Sequence, residues 1–106
     1  MSHTGAPYAS GQWTVKSGKH DEFVAQWTEF LEWSTTTFGD FAHAILLHDS
    51  GDPQHFMSVG RWNSKEQMDA WRADPGFREQ IGKCIALCDD FKSFDYTVAA
   101  HVEGKS

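Results

Sequence analysis

No apolar stretch in this sequence approaches the ~20 residues that cross a bilayer, so no transmembrane helix is expected. Positive charge is also in short supply: 9 Lys and Arg face 15 Asp and Glu, a formal net charge of −6 at pH 7. Nucleic-acid binding takes clustered cations to neutralise phosphate, and an anionic membrane surface asks for the same. The scattered basic residues form no such cluster, so neither partner is expected, and the acidic balance serves solubility. Cysteine is nearly absent. Cys84 and Cys88 stand four apart in a helix-like stretch, where same-face geometry suits a disulfide poorly and no further ligands lie at metal-site spacing. They read as free thiols acting as small buried hydrophobes, as in a reducing cytoplasm. Met1 to Ala9 lack the apolar core of a secretory signal and are expected to be a flexible tail. Residues 10–103 are expected to form one domain, since 106 residues suffice for one and hardly for two.

Aromatic residues, in contrast, are plentiful: five Trp and eight Phe. A domain this small has little interior in which to bury them. Part of that surface is therefore expected in a ligand pocket or a subunit interface, with an aromatic-rich core as the plainer alternative.

Ser10 to Ser17 alternates and reads as a first strand. Lys19 to Phe38 places Phe23, Trp27, Phe30, Leu31, Ser34 and Phe38 on one helical stripe. Trp33 lies off that stripe, which suggests a contact with another element or a partner. The Thr35-Thr36-Thr37 run weakens the helix and Gly39 ends it. Phe41 to Asp49 is apolar on both parities, as in a strand buried on both faces. Ser50 to Pro53 is turn chemistry, and Gln54 to Trp62 returns as the second half of a hairpin. Ser64, with Gln67 three residues on, forms a capping box for a helix with Met68, Trp71 and Arg72 on one face. Asp74-Pro75-Gly76 interrupts that helix. Another follows from Phe77, with Ile81, Cys84, Ile85 and Cys88 inward. Lys92 to Val102 alternates as the last strand.

The order is β-α-β-β-α(α)-β, an α+β, ferredoxin-like arrangement: a four-stranded antiparallel sheet with helices on one face. The apolar second parity of the hairpin strand calls for a second cover. Two sheets packed face to face, a homodimeric α/β barrel, supply it.

The segment from Asp52 to Glu66, with Asp52-Pro53 leading through Phe56 to Trp62 and then Ser64, resembles the antibiotic biosynthesis monooxygenase family. Trp71, Asp74-Pro75 and Phe77 continue the likeness, which covers roughly residues 10 to 102. The resemblance implies a pocket between helices and sheet, and oxidation of anthrone-like aromatic polyketides with O₂ and neither metal nor flavin. Such chemistry needs an acidic phenol or enol as substrate, a dry pocket, and a few polar groups to hold the oxyanion and the peroxide.

The resemblance makes Trp71 a pocket-facing tryptophan, with an indole N–H to donate and a ring to pack a flat substrate. Phe23 and Trp27, one turn apart on the first helix, form the opposite wall. Core packing is the plainer reading of these three. Ser58, Trp62, Arg72 and Phe77 complete the expected substrate-binding set; a strand-to-helix anchor for Trp62 and a carboxylate partner for Arg72 are the plainer readings. If Asp49 pairs with Gln54, His43 lies opposite Gly60 and beside Ser58, placed as a general base; an ordinary buried or edge histidine is the alternative. In that register His48 faces His55, half of a metal site with nothing to complete it, so neither metal nor cofactor is expected. The haem-degrading branch of the superfamily needs an axial histidine about ten residues beyond the pocket tryptophan and an asparagine on the first strand. Ile81 and Gln12 stand nearest those places, against haem breakdown. The first reading is thus a cofactor-independent oxygenase of a small aromatic or quinol-like molecule, dimeric and cytoplasmic. A non-catalytic ligand-binding domain and an isomerase or cyclase are the alternatives.

Overall fold

Gly18, with a φ of +82°, turns the chain from its first strand into its first helix, a conformation only glycine adopts freely. The computed structural model describes residues 5–105. The elements are β1 (Pro7–Val15), α1 (His20–Thr37), β2 (Phe41–His48), β3 (His55–Trp62), α2 (Lys65–Ala73), α3 (Pro75–Ile85) and β4 (Cys88–Thr97). The sheet has the order β2-β3-β1-β4 and every neighbouring pair is antiparallel. All three helices supply buried side chains to one face of it. This is the expected ferredoxin-like α+β fold.

Local chemistry sets most boundaries. Asp21 and Glu22 occupy the first turn of α1, where the helix dipole favours negative charge. The threonine run stays helical because Thr35 and Thr36 both return their hydroxyls to the Glu32 carbonyl at 2.9 Å. Ser64 caps α2 as anticipated: its Oγ accepts from Gln67 N at 3.2 Å and donates to Asp40 Oδ2 at 2.8 Å. Asp74, extended ahead of Pro75, ends α2 and caps α3 by accepting from Gly76 N at 2.7 Å. Trp33 finds its contact here. Its ring lies so close over Gly76 that a Cβ at that position would overlap it.

Three expectations need correction. The first strand begins at Pro7, because Tyr8 and Ala9 pair with both β3 and β4; of the expected tail, residues 1–4 lie outside the described residues. The last strand starts at Cys88, paired with Val15, so Cys88 opens β4 instead of facing inward from a helix. The alternation runs on to Val102, but the pairing does not: Gly5 N to Val98 O and Val98 N to Ala6 O close the ladder.

The third correction is the hairpin register. Asp49 bonds to His55, not Gln54. Asp49 and Asp52 each accept the amide two residues on, from Gly51 at 2.8 Å and Gln54 at 3.0 Å, and these side-chain turns lengthen the loop by one residue. His43 then stands opposite Arg61 and Ala44 opposite Gly60, with an irregularity between Phe41 and His43. A slip of one residue exchanges the faces. Within this chain β2 is buried on one face only: Phe41, Ala44 and Leu46 are half-buried, while Ile45 and Leu47 are exposed.

Candidate functional site

Side chains on the helix-facing side of the sheet are large at its two ends and small in the middle. Trp13 pairs with Phe56 and Phe91 at one end, and Phe41 with Trp62 at the other. Between them Gly11 pairs with Ser58 and Ser93, and Gly60 with Ala9 and Ala44. The helices rest on the tall ends and leave the low centre open. The result is a cavity of about 640 Å³, within the usual range for small-molecule sites. Trp27, Phe30 and Leu31 of α1, Trp71 of α2, and Phe77 and Ile81 of α3 close it from above. Ile85, Arg78 and Ser93 are lining residues that are also exposed, so the mouth lies along α3 and β4.

Two Trp–Ser pairs stand in this wall, and they differ. Trp71 Nε1 donates to Ser34 Oγ at 2.8 Å, and Ser34 donates its own proton to the Phe30 carbonyl at 2.9 Å. Trp13 Nε1 donates to Ser58 Oγ at 3.0 Å, but the Ser58 proton has no acceptor among the described residues. Gly11 makes room for the second pair: a Cβ there would come within 2.7 Å of Trp13 Nε1 and 2.9 Å of Ser58 Oγ. A third indole, Trp62 Nε1, is buried without a hydrogen-bond partner among the described residues, a deficit of ~1–3 kcal/mol.

Trp27, Ser58, Trp62, Trp71, Arg72 and Phe77 therefore meet around one cavity. Trp71 contributes its ring rather than its N–H, which Ser34 occupies. That ring stacks on Phe30 at 5.7 Å and meets Phe77 edge-on at 4.7 Å. Arg72 sits over Trp71, 5.7 Å from the ring centroid, and forms an ion pair with Asp95. Phe23 lies outside the lining. It is fully buried and packs on Trp13 at 5.1 Å and Phe56 at 5.3 Å, where it supports the wall from behind.

His43 is not brought to the cavity. The shifted register turns it to the opposite face of the sheet, exposed and edge-on to Tyr8 at 6.4 Å. His48 and His55 do not face each other either. His48 stacks on Phe56 at 4.2 Å and its Nε2 lies 2.9 Å from the Pro53 carbonyl. His55, on the other face, lies 2.9 Å from Asp49 Oδ2 and 2.6 Å from Gln12 Oε1. The hydrogen bond to His55, helped by the Gly51 amide, holds the Asp49 carboxyl below its ordinary value. Cys84 and Cys88 are free. Burial pushes their thiols up to about 12 and about 11, so neither is a thiolate nucleophile at neutral pH. Among the described residues no three His, Cys, Asp or Glu side chains converge as metal ligands.

Ser34, Gly11, Arg78 and the floor residues Ala9, Ala44 and Ser93 are site components that sequence reasoning did not single out. The Ser34 position on the buried stripe of α1 was the one available signal.

Comparison with known proteins follows the same lines. The chain resembles SnoaB, a cofactor-independent oxygenase from Streptomyces nogalater, with a TM-score of 0.83 at 16% identity over 94% of this chain and 99% of that one. A conserved protein from Methanosarcina mazei Go1 gives 0.78 at 15%, over 91% and 95%. A putative antibiotic biosynthesis monooxygenase from Bordetella bronchiseptica gives 0.76 at 15%, over 88% and 96%. At such identities these are likenesses of fold. No curated protein matches the sequence. The sequence pattern of one family, however, covers residues 8–82, from β1 into α3. This chain belongs to the antibiotic biosynthesis monooxygenase family.

Proposed function

We propose that this protein is a cofactor-independent monooxygenase that oxidises a small aromatic or quinol-like molecule, of the anthrone type, with O₂. The observation that carries the reading is the makeup of the cavity wall. It is rich in aromatic rings, it has an uncommitted donor at Ser58 Oγ, and its described lining contains no histidine.

A wall without an imidazole suits a substrate that ionises by its own acidity, as a polycyclic phenol or enol does. Its anion is electron-rich enough to give up an electron to O₂. Ser58 is the group to hold the oxyanion, fixed in place by Trp13 before the reaction begins. Trp27, Trp71 and Phe77 hold the rings, and Arg72, paired with Asp95, packs over Trp71 at the rim. The apolar wall keeps water from radical or peroxide intermediates. In the balanced reaction the substrate methylene gains one oxygen atom as a carbonyl, and the other leaves as water with the two methylene hydrogens. His43, on the other side of the sheet, takes no part. The name of SnoaB as a cofactor-independent oxygenase supports the same chemistry.

The working unit in this reading is a homodimer. Ile45 and Leu47 of β2 and Phe94 and Tyr96 of β4 are exposed large apolar residues on the face away from the helices. A second sheet covers these residues. The two unpaired cysteines fit a cytoplasmic setting.

Oxygen uptake by metal-free protein with a panel of hydroxyanthrones tests the proposal. Uptake with stoichiometric quinone, reduced about 100-fold by Ser58→Ala, is expected. Binding without uptake would instead favour the non-catalytic reading. Product formed under nitrogen would favour an isomerase.

A further inference from the structure

Two glycines stand in the cavity floor, Gly11 and Gly60, and only one has a reason in the fold. Gly11 leaves room for the Trp13–Ser58 bond. Gly60 makes way for no neighbour. A Cβ there would meet Ala44 Cβ at 3.7 Å, a carbon of the Phe41 ring at 3.8 Å and the Ala9 carbonyl at 3.9 Å, all ordinary contacts. Nor does its backbone call for glycine: among the described glycines only Gly5 and Gly18 have a positive φ. Glycine inside a strand costs stability through backbone entropy and forgone packing, so folding does not account for this one. Gly82 of α3 is as free of contacts, but it is exposed and does not line the cavity. Gly60 is buried, and the space its missing side chain leaves belongs to the cavity.

The position of Gly60 along β3 says what that space is for. Ser58, Gly60 and Trp62 face the helices in turn, each about 7 Å of strand from the next. Ser58 lines the cavity, is 9% exposed, and has no acceptor for its proton among the described residues. Trp62, edge-on to Phe41 at 5.1 Å, closes the far end. Between the polar group and the end wall the floor is Gly60, paired with Ala9 on one side and Ala44 on the other. A side chain at position 60 would rise into this stretch beside the Phe41 ring.

We propose that Gly60 is the residue that sets the length of ring system the cavity accepts. A flat ligand with its oxygen on Ser58 lays its outermost ring over Gly60, against Phe41 and Trp62, and the bare backbone there admits a third fused ring. This inference rests on the cavity being the substrate site and adds the size class that the site selects, linear tricyclic over bicyclic. Gly60 takes no part in the chemistry; it is a specificity-determining position.

The test is fluorescence titration of the full chain with 2-hydroxyanthracene and with 2-naphthol, which differ by one fused ring and carry the same hydroxyl. Wild-type protein is expected to bind the three-ring probe about tenfold more tightly, from the apolar surface that the extra ring buries. Gly60→Val suits a strand and is expected to weaken 2-hydroxyanthracene about tenfold more than 2-naphthol, which cancels the preference. Gly60→Ala, which adds only the ordinary contacts given above, is expected to shift the ratio in the same direction by less, and it carries the test if the valine variant does not fold. Equal affinities in the wild type, or variants that weaken both probes alike or keep the wild-type ratio, would overturn the role of Gly60 and leave the cavity reading standing. If neither probe binds the wild type, both fall together.

Discussion

Trp71 and Ser34, 37 residues apart in the chain, are joined by a buried hydrogen bond of 2.8 Å that ties α2 to α1 across the roof of the cavity. Ser34 is fully buried and has no further proton to give, because it donates to the Phe30 carbonyl. Ser34→Ala strands the Trp71 indole and is expected to destabilise the protein by ~1–3 kcal/mol, read by urea unfolding. Adding Trp71→Phe removes the stranded donor. The double variant is therefore expected to lose less than the sum of the single losses, as for any directly coupled pair.

The floor makes opposite predictions for its two glycines. A Cβ at Gly60 meets Ala44 Cβ at 3.7 Å and nothing nearer. Gly60→Ala is expected to fold with stability unchanged or raised by a few tenths of a kcal/mol, since glycine weakens a strand interior. Gly11→Ala drives into the Trp13–Ser58 bond and is expected to cost ~1–3 kcal/mol. Thermal melts of the two variants decide this. Equal effects would contradict the described floor.

The outer face predicts an oligomeric state. Ile45→Asp and Phe94→Asp place charge on exposed apolar positions of opposite sheet edges. Each is expected to convert a wild-type dimer into a folded monomer in sedimentation velocity. A wild-type chain that sediments as a lone 12.0 kDa species would remove the dimer from the account.

Acid should weaken the hairpin loop. The folded-state Asp49 carboxyl titrates below its ordinary value of 3.8 because of His55 and the Gly51 amide. The stability it contributes is present above that value and is lost as pH falls through the lower, folded one. Asp49→Asn is expected to flatten the acid limb of the stability curve, between about pH 5 and pH 2. The effect is small, because the pair is solvent-exposed, and is read by denaturant midpoints across that range.

Where the sequence was legible, the signals were local. The stripe from Phe23 to Phe38 follows the helical period, and the Ser64–Gln67 cap and the Asp74-Pro75 break are set by neighbours within a turn. The hairpin register was not legible from the same stretch. Two aspartate side chains lengthen the turn by one residue, and with the irregularity at Phe41/His43 they send His43 to the far face. The cavity floor was hidden for a related reason. Gly11, Ser58 and Ser93 become a row only once three strands are in register, and the Trp71–Ser34 bond joins two elements that alternation and periodicity treat separately. The family likeness located the tryptophans but not which indole protons were already taken.

The most direct measurement is a crystal structure of the protein with a hydroxyanthrone bound under nitrogen. The account predicts the rings under Trp27 and Trp71, with a ligand oxygen within hydrogen-bond distance of Ser58 Oγ. A ligand seated on the opposite face of the sheet beside His43, or a cavity that stays empty at saturating ligand, would contradict it.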